Sequence, residues 1–382
     1  MDDKVECILK HKNRDVLSFM LLKDSWNIET VTVHDADFSP INAKNTSNIQ
    51  AQDLKKWLEN RCIPNSRDGI ERLKGVHGID NPVDLMVAQK GLSLSDNYWI
   101  DKVPFNTRWE NINYFDNDYN NKFANVVFDT HFRITTNKED SPNTALNGAQ
   151  RKSWLRENGH DYIIKAGFER TIQEPFNEYY ASMVLDVLAF KHIKYDLSEM
   201  NKQFVSKCEC YTNKDREFIN GNDIRLKYGI KKDLKSIMEL CDQKSLMNIK
   251  EKFDEMFIID YLIDNTDRHW NNFGIIRDAG TGEWIEFMPL FDHGISVWST
   301  RQKIDASEPS RSGFWVEGNV SNADNIKNID LGNYVNNTMI YNLSQIFDKA
   351  FEYYPIKNRK EELRKGIKDK ERIVGKVLEG CR

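Results

Sequence analysis

The feature that most constrains this chain is the order in which five polar residues recur on four kinds of segment. Lys165 closes the apolar, strand-like run DYIIKAG, and Glu178 lies early in the helical pattern EPFNEYYASMVLDVLAF that follows. Asp267 and Asn272 stand five residues apart in the dense polar loop DNTDRHWNNFG, between a helical apolar run and a short hydrophobic one. Asp292 ends WIEFMPLFDHG. A fold that uses these residues together must bring a strand, a helix, a loop and a second strand end to one place. Taken singly, each also fits a plainer role: a lysine in water, a glutamate on a solvated helix face, a polar turn.

The surrounding patterns read as a mixed α and β chain in three parts. Residues 1–135 alternate the strand-like runs VLSFMLL, ETVTVHDA and ANVVFDTHF with one helix, AQDLKKWLENRCI, after which Pro, Gly and Asn break the pattern into short pieces. Residues 136–222 hold the strand DYIIKAG, a helix opening at Pro175 with Tyr180, Val184, Val187 and Leu188 on one face, and the strand KQFVSKCECY. Residues 223–382 turn helical. There SLMNIKEKFDEMFIIDYLI aligns Ile249, Phe253, Met256 and Phe257, and helices are predicted over GNYVNNTMIYNLSQIFDKAFEYY and KNRKEELRKGIKDKERIVGKVLEG, the latter with a solvated face of mixed charge.

Composition narrows the classes. A chain of 382 residues suits two packed domains or one large bilobal unit. A net charge of −5 argues against a general nucleic-acid binder, so no direct nucleic-acid contact is expected. Tyr98 and Trp99 read as core rather than as a stacking platform. The six cysteines are scattered; Cys208 and Cys210 form a C-x-C without a matching Cys/His pair, which predicts reduced thiols rather than zinc. No apolar leader and no stretch of about 18 apolar residues is visible, so the expectation is a cytoplasmic protein without a membrane partner.

Phosphoryl transfer asks for this kind of residue set. It needs a carboxylate beside the attacking hydroxyl, an amide and a second carboxylate on a magnesium ion, and a lysine on the phosphates. Protein kinases use the Asp-x4-Asn spacing for the first two. By itself Asp267-x4-Asn272 is compatible with a solvated turn, and the order of all five residues is what favours the site.

The segment NTALNGAQRK, residues 143–152, resembles the GxQxK phosphate-loop signature of HipA-type serine/threonine kinases, and IIKAG, FNEYY, NTDRHWNNF and PLFDHGIS follow in that family's order. The resemblance implies an α+β, bilobal protein-kinase-like fold. Its parts would be a family-specific N-terminal extension (1–135), a nucleotide-binding N-lobe core (136–222) and a mostly helical catalytic C-lobe (223–382). It implies ATP- and Mg2+-dependent transfer to a Ser or Thr hydroxyl of a protein substrate. Because the family is best known for bacterial toxins, it also implies an antitoxin-type partner.

Carried over by residue, the resemblance makes Asp267 the catalytic aspartate and Asn272 and Asp292 the metal ligands. Lys165, steadied by Glu178, becomes the nucleotide lysine, and Gly148, Gln150 and Lys152 become part of the phosphate-covering loop. Lys207 and Cys208 fall near the adenine edge. His269 either orients Asp267, neighbours the phosphates or is a turn histidine, while Arg268 is read as a structural ion pair. The family's autophosphorylated loop hydroxyl aligns with Ala145, leaving Thr144 and Ser141 as nearby hydroxyls. DRHWNN also resembles the catalytic loop of phosphoinositide kinases, so a lipid kinase and an inactive nucleotide-binding module stay open. The segment 299–315 stands where an activation-type loop would follow and reads equally as a solvated loop.

Overall fold

The computed structural model describes residues 4–22, 25–67, 71, 82–104, 107–128, 141–168, 170–316 and 319–380. The chain is of mixed α and β structure and forms two compact units, each assembled from non-consecutive segments. The first takes Met1–Ile164, Cys210–Lys231 and Ile275–Ile285; the second takes Lys165–Glu209, Lys232–Gly274 and Glu286–Arg382.

In the first unit, strands β1 (Lys4–His11), β2 (Arg14–Leu22), β3 (Ile28–Val33) and β4 (Tyr98–Lys102) form a sheet of order β3-β2-β1-β4. Both neighbours of β1 run antiparallel to it, with Ile8 opposite Ser18 on one side and Asp101 on the other. The helix Ser47–Arg61 covers this sheet through Leu54, Trp57 and Leu58, buried with Cys7, Leu9, Leu17 and Phe19 in one apolar cluster. Tyr98 and Trp99 are core, as the sequence predicts. Two further strands, β5 (Lys152–Glu157) and β6 (His160–Ala166), are sheet neighbours, and the division between units falls within β6, one residue before Lys165.

One expected strand is a helix. Residues Lys122–Phe128 are helical, and the remainder of ANVVFDTHF lies outside the described residues. The valines favour a strand, but Phe123, Ala124, Val127 and Phe128 are buried at helical spacing, so packing overrides propensity. The Asn120 side chain accepts the Lys122 N–H at 2.7 Å, which suits a helix start.

In the second unit, the helix Glu174–Leu188 buries Tyr180, Val184 and Leu188, whereas Val187 is 36% exposed. The residue lies at the edge of the buried stripe rather than in it. The hairpin of β7 (Asp196–Met200) and β8 (Gln203–Glu209) pairs Ser198 with Val205. Phe176 packs against Phe204, Phe351 and Tyr354, joining that helix to the hairpin and to the helix Leu343–Ala350. The helix Ile249–Leu262 buries Ile249, Phe253, Met256 and Phe257 as its stripe predicts. The expected helix over 332–354 is instead three short ones, because asparagines and an aspartate restart it: Asp330 accepts from Gly332 N and Asn336 from Met339 N. On the helix Lys357–Leu378 the expected solvated face is interrupted, since Lys370 and Glu371 are buried beside Leu363, Gly366 and Ile367. Among the described residues no helix is long and apolar enough to cross a membrane.

Charge organises the core of the first unit. Glu217, on β9 (Arg216–Asn220), is wholly buried and receives Arg277 Nε at 2.5 Å, the His11 ring at 2.9 Å and the Asn97 backbone N–H at 3.0 Å. Burial alone would raise its pKa, but Arg277 and His11 more than offset this and hold the carboxylate well below its usual range. A depressed carboxylate contributes stability above the unfolded-state pKa of about 4.3, and that contribution is lost as pH falls through the folded value. Glu217→Gln leaves Arg277 buried without its counter-charge and should cost roughly 3–5 kcal/mol in urea unfolding at pH 7. The deficit should shrink in melts below about pH 4, where wild type loses the same contribution.

Candidate active site

The polar loop takes its shape from a buried arginine in the second unit. Arg268 Nε and Nη2 reach both oxygens of Asp260 in the preceding helix, at 3.0 and 2.9 Å. Its Nη1 continues to the carbonyls of Asn272 at 2.6 Å and Phe291 at 2.8 Å. One planar guanidinium thus fastens the helix, the far end of the loop and the residue before Asp292, a task a lysine point charge does not perform. Burial works against the charge, yet Asp260 raises the Arg268 pKa. Asn265 donates to Asp260 at 2.7 Å and accepts the Asp267 N–H at 3.1 Å. Trp270 and Phe273 enter an aromatic cluster with Phe253 and Phe314.

With those residues turned inward, the others face out. The side chains of Asp267 and His269 are 45% and 46% exposed, with His269 Nε2 3.8 Å from Asp267 Oδ2. Asn272 is buried, and its Nδ2 donates to the Asp267 carbonyl at 2.8 Å, which leaves the amide oxygen to face elsewhere. Arg268 is the ion pair the sequence predicts. Asp264 is buried and accepts from the Ser310 hydroxyl.

Lys165, Glu178 and Asp292 come together. Lys165 Nζ lies 2.8 Å from Glu178 Oε1 and 2.6 Å from Asp292 Oδ1, with the Tyr195 hydroxyl at 3.4 Å. Burial opposes the Lys165 charge, but Asp292 and Glu178 hold its pKa well above the ordinary value. Asp292 does not end a strand: β11 (Trp284–Phe287) stops five residues earlier, and Asp292 adopts φ 60°. Its position is set from elsewhere. Leu290 forms a short parallel bridge with His192, and Asn177 Nδ2 binds the carbonyls of Gly294 at 2.7 Å and Ser296 at 2.9 Å. The other Glu178 oxygen accepts the His293 N–H at 2.9 Å.

The remaining predicted residues divide between the units. Lys207, partly exposed, and Cys208, buried, are consecutive on β8, with Lys207 opposite Asp196. Gly148, Gln150 and Lys152 belong to the first unit. There the hydroxyls of Thr144 and Ser141 are buried, Thr144 donating to the Ser141 carbonyl at 3.2 Å and Ser141 Oγ accepting from Asn143 Nδ2 at 2.9 Å.

Two of the residues expected to hold magnesium, Asn272 and Asp292, belong to the second unit. Among the described residues no three His, Cys, Asp or Glu are grouped to hold a metal. Asn272 and Asp292 offer two hard oxygens, the number an ion that keeps several waters requires. Asp260, Tyr195 and Gly313 carry no signal legible in the sequence. A Cβ on Gly313 would lie 2.8 Å from the Thr266 carbonyl oxygen and 2.8 Å from the Asp267 carbonyl carbon, so the strand Arg311–Val316 packs against the loop backbone. A lone glycine more than forty residues downstream carries no pattern. Asp260, eight residues before Arg268, is the partner that the ion-pair reading of Arg268 demands.

Arg268→Met should cost roughly 3–5 kcal/mol in urea unfolding by stranding Asp260. Adding Asp260→Asn should recover part of that loss, and a double-mutant cycle measures the coupling.

No family model matches the chain. It is 24% identical over 193 residues to the serine/threonine-protein kinase CtkA of Helicobacter pylori, a match that covers 47% of this chain and spans about half (53%) of that relative. Among solved structures it is similar to the H. pylori proinflammatory kinase CtkA, with a TM-score of 0.50 and 19% identity over 60% of this chain and 91% of that one. It is also similar to a Shewanella oneidensis toxin–antitoxin complex of HipA, HipB and operator DNA, with a TM-score of 0.56 and 13% identity over 98% of this chain and 97% of that one. This chain therefore has the kinase-like fold of the HipA and CtkA proteins.

Proposed function

We propose that the chain is an ATP- and Mg2+-dependent kinase that transfers the γ-phosphoryl group to a Ser or Thr hydroxyl of a protein. The observation that carries this reading is the buried Lys165 ammonium held between Glu178 and Asp292, in the same unit as a loop that leaves Asp267 half exposed. Burying a lysine with two carboxylates carries a desolvation cost, which favours a functional reason for keeping it there. The kinase-like fold of the structural neighbours supports the same reading.

In this scheme Lys165 binds the nucleotide phosphates, and Glu178 keeps its ammonium charged and in place. Asp267 orients the acceptor hydroxyl for in-line attack and takes its proton. Asn272 and Asp292 would hold Mg2+, which when bound neutralises charge on the phosphates. His269 adjoins Asp267 as a neighbour of the reacting groups, and Lys207 and Cys208 line the nucleotide's base. The Shewanella neighbour is a complex with an antitoxin, so an antitoxin-type partner is proposed here as well. That complex includes operator DNA, and the expectation of no nucleic-acid contact is not carried forward.

Asp267→Asn should fold normally and lose roughly 10²–10⁴-fold of the transfer rate. The assay follows label from γ-labelled ATP into proteins of a cell lysate, with phosphoinositide vesicles as a second acceptor. Undiminished transfer by the variant would remove Asp267 from the mechanism, and label confined to lipid would replace the protein substrate.

A further inference from the structure

The first unit contains a buried arginine that, among the described residues, has no carboxylate against it. Arg67 is 2% exposed. Its Nε donates to the Gly148 carbonyl at 2.8 Å and its Nη2 to the Leu146 carbonyl, while Nη1 is enclosed without a partner. Burial lowers its pKa to about 9, and among the described residues no neighbouring carboxylate opposes that fall. At neutral pH it is a buried charged group whose hydrogen bonds, among the described residues, go to two backbone carbonyls. Arginines are rarely buried in this way without a pairing anion.

Those two carbonyls belong to the loop that carries Gly148, Gln150 and Lys152. In a trans peptide the C=O and the following N–H point in opposite directions. Turning the carbonyls of Leu146 and Gly148 toward Arg67 therefore turns the N–H groups of Asn147 and Ala149 away from it. Neither N–H donates to another group among the described residues. The amide between them is already used, since the Gly148 N–H donates to its neighbour Asn147 Oδ1 at 2.6 Å. Gly148 itself holds φ 108°, and a Cβ there would collide with the end of the Lys152 side chain, which folds over the glycine. The result is two parallel, unengaged amides with an ammonium beside them, the composition of a backbone anion nest.

We infer that Arg67, acting from outside the loop, is the positioning residue that aims the Asn147 and Ala149 amides at a phosphate group of ATP. The inference rests on the reading of residues 143–152 as a phosphate-covering loop. Arg67 does not touch the phosphate; it sets the peptide planes that do. A lysine in its place keeps the charge but has no planar fork to hold two carbonyls at once.

The test compares wild type, Arg67→Gln and Arg67→Lys for binding of ATP, adenosine and inorganic phosphate, and for KM and kcat with ATP. Losing two aimed amides should weaken ATP about tenfold or more in Arg67→Gln and raise KM correspondingly, with adenosine affinity unchanged. Arg67→Lys should fall between the two. Where Arg67→Gln does not fold, the ratio of ATP to adenosine affinity in Arg67→Lys decides. Unchanged ATP affinity in the variants, or equal losses of ATP and adenosine, would overturn the role of Arg67 while leaving the kinase reading intact. A wild type that binds adenosine as tightly as ATP would overturn the phosphate-loop reading and this inference together. Inorganic phosphate that binds alone as tightly as ATP, and is lost in Arg67→Gln, would replace the nucleotide by free phosphate.

Discussion

The second unit turns on the pairing of Arg268 with Asp260. A polar loop between an apolar helix and an apolar strand has no natural shape, because water competes for each of its groups. Burying one guanidinium in the middle changes that. The charge demands Asp260, and the unused donor of the fork demands carbonyls, which Asn272 and Phe291 supply. Every loop residue that serves this demand faces inward, and Asp267 and His269 are left facing out. The position of Asp267 is thus a consequence of how its neighbour is satisfied.

A second constraint acts from the helix Glu174–Leu188. Its first turn spends side-chain amides on the backbone of residues 294–297: Asn177 on Gly294 and Ser296, Gln173 on Val297 at 2.8 Å. The stretch with Asp292 is therefore clamped from both sides, by the Leu290 bridge before it and these bonds after it. This is how a residue with φ 60° is kept in place. Lys165 and Glu178 meet Asp292 because strand end, helix turn and clamped backbone are each fixed independently. Such positioning by neighbours, rather than by the residues themselves, also describes Arg67 and its loop.

The elements legible in the sequence were those with strong periodicity or capping. The stripe of Ile249, Phe253, Met256 and Phe257 specifies a helix whatever packs on it, and DYIIKAG specifies a strand. The failures share a cause. ANVVF has strand-forming valines but is helical where its burial pattern wins, and 332–354 has helical spacing but asparagines that cap and restart it. Lys370 and Glu371 sit among charges that read as solvated, and only packing could bury them.

Sequence alone determined which residues are candidates and in what order they come, because phosphate chemistry needs those side chains and the family order is a linear pattern. It also marked Arg268 as a structural ion pair rather than a phosphate ligand. Which partner, and where each candidate points, was decided by tertiary structure. The sequence could not show that Asp292 leaves its strand, that Thr144 and Ser141 are buried, or that Asp260, Tyr195, Gly313 and Arg67 matter. Each of those depends on contacts between segments far apart along the chain, and a contact leaves no periodicity in either segment to be read.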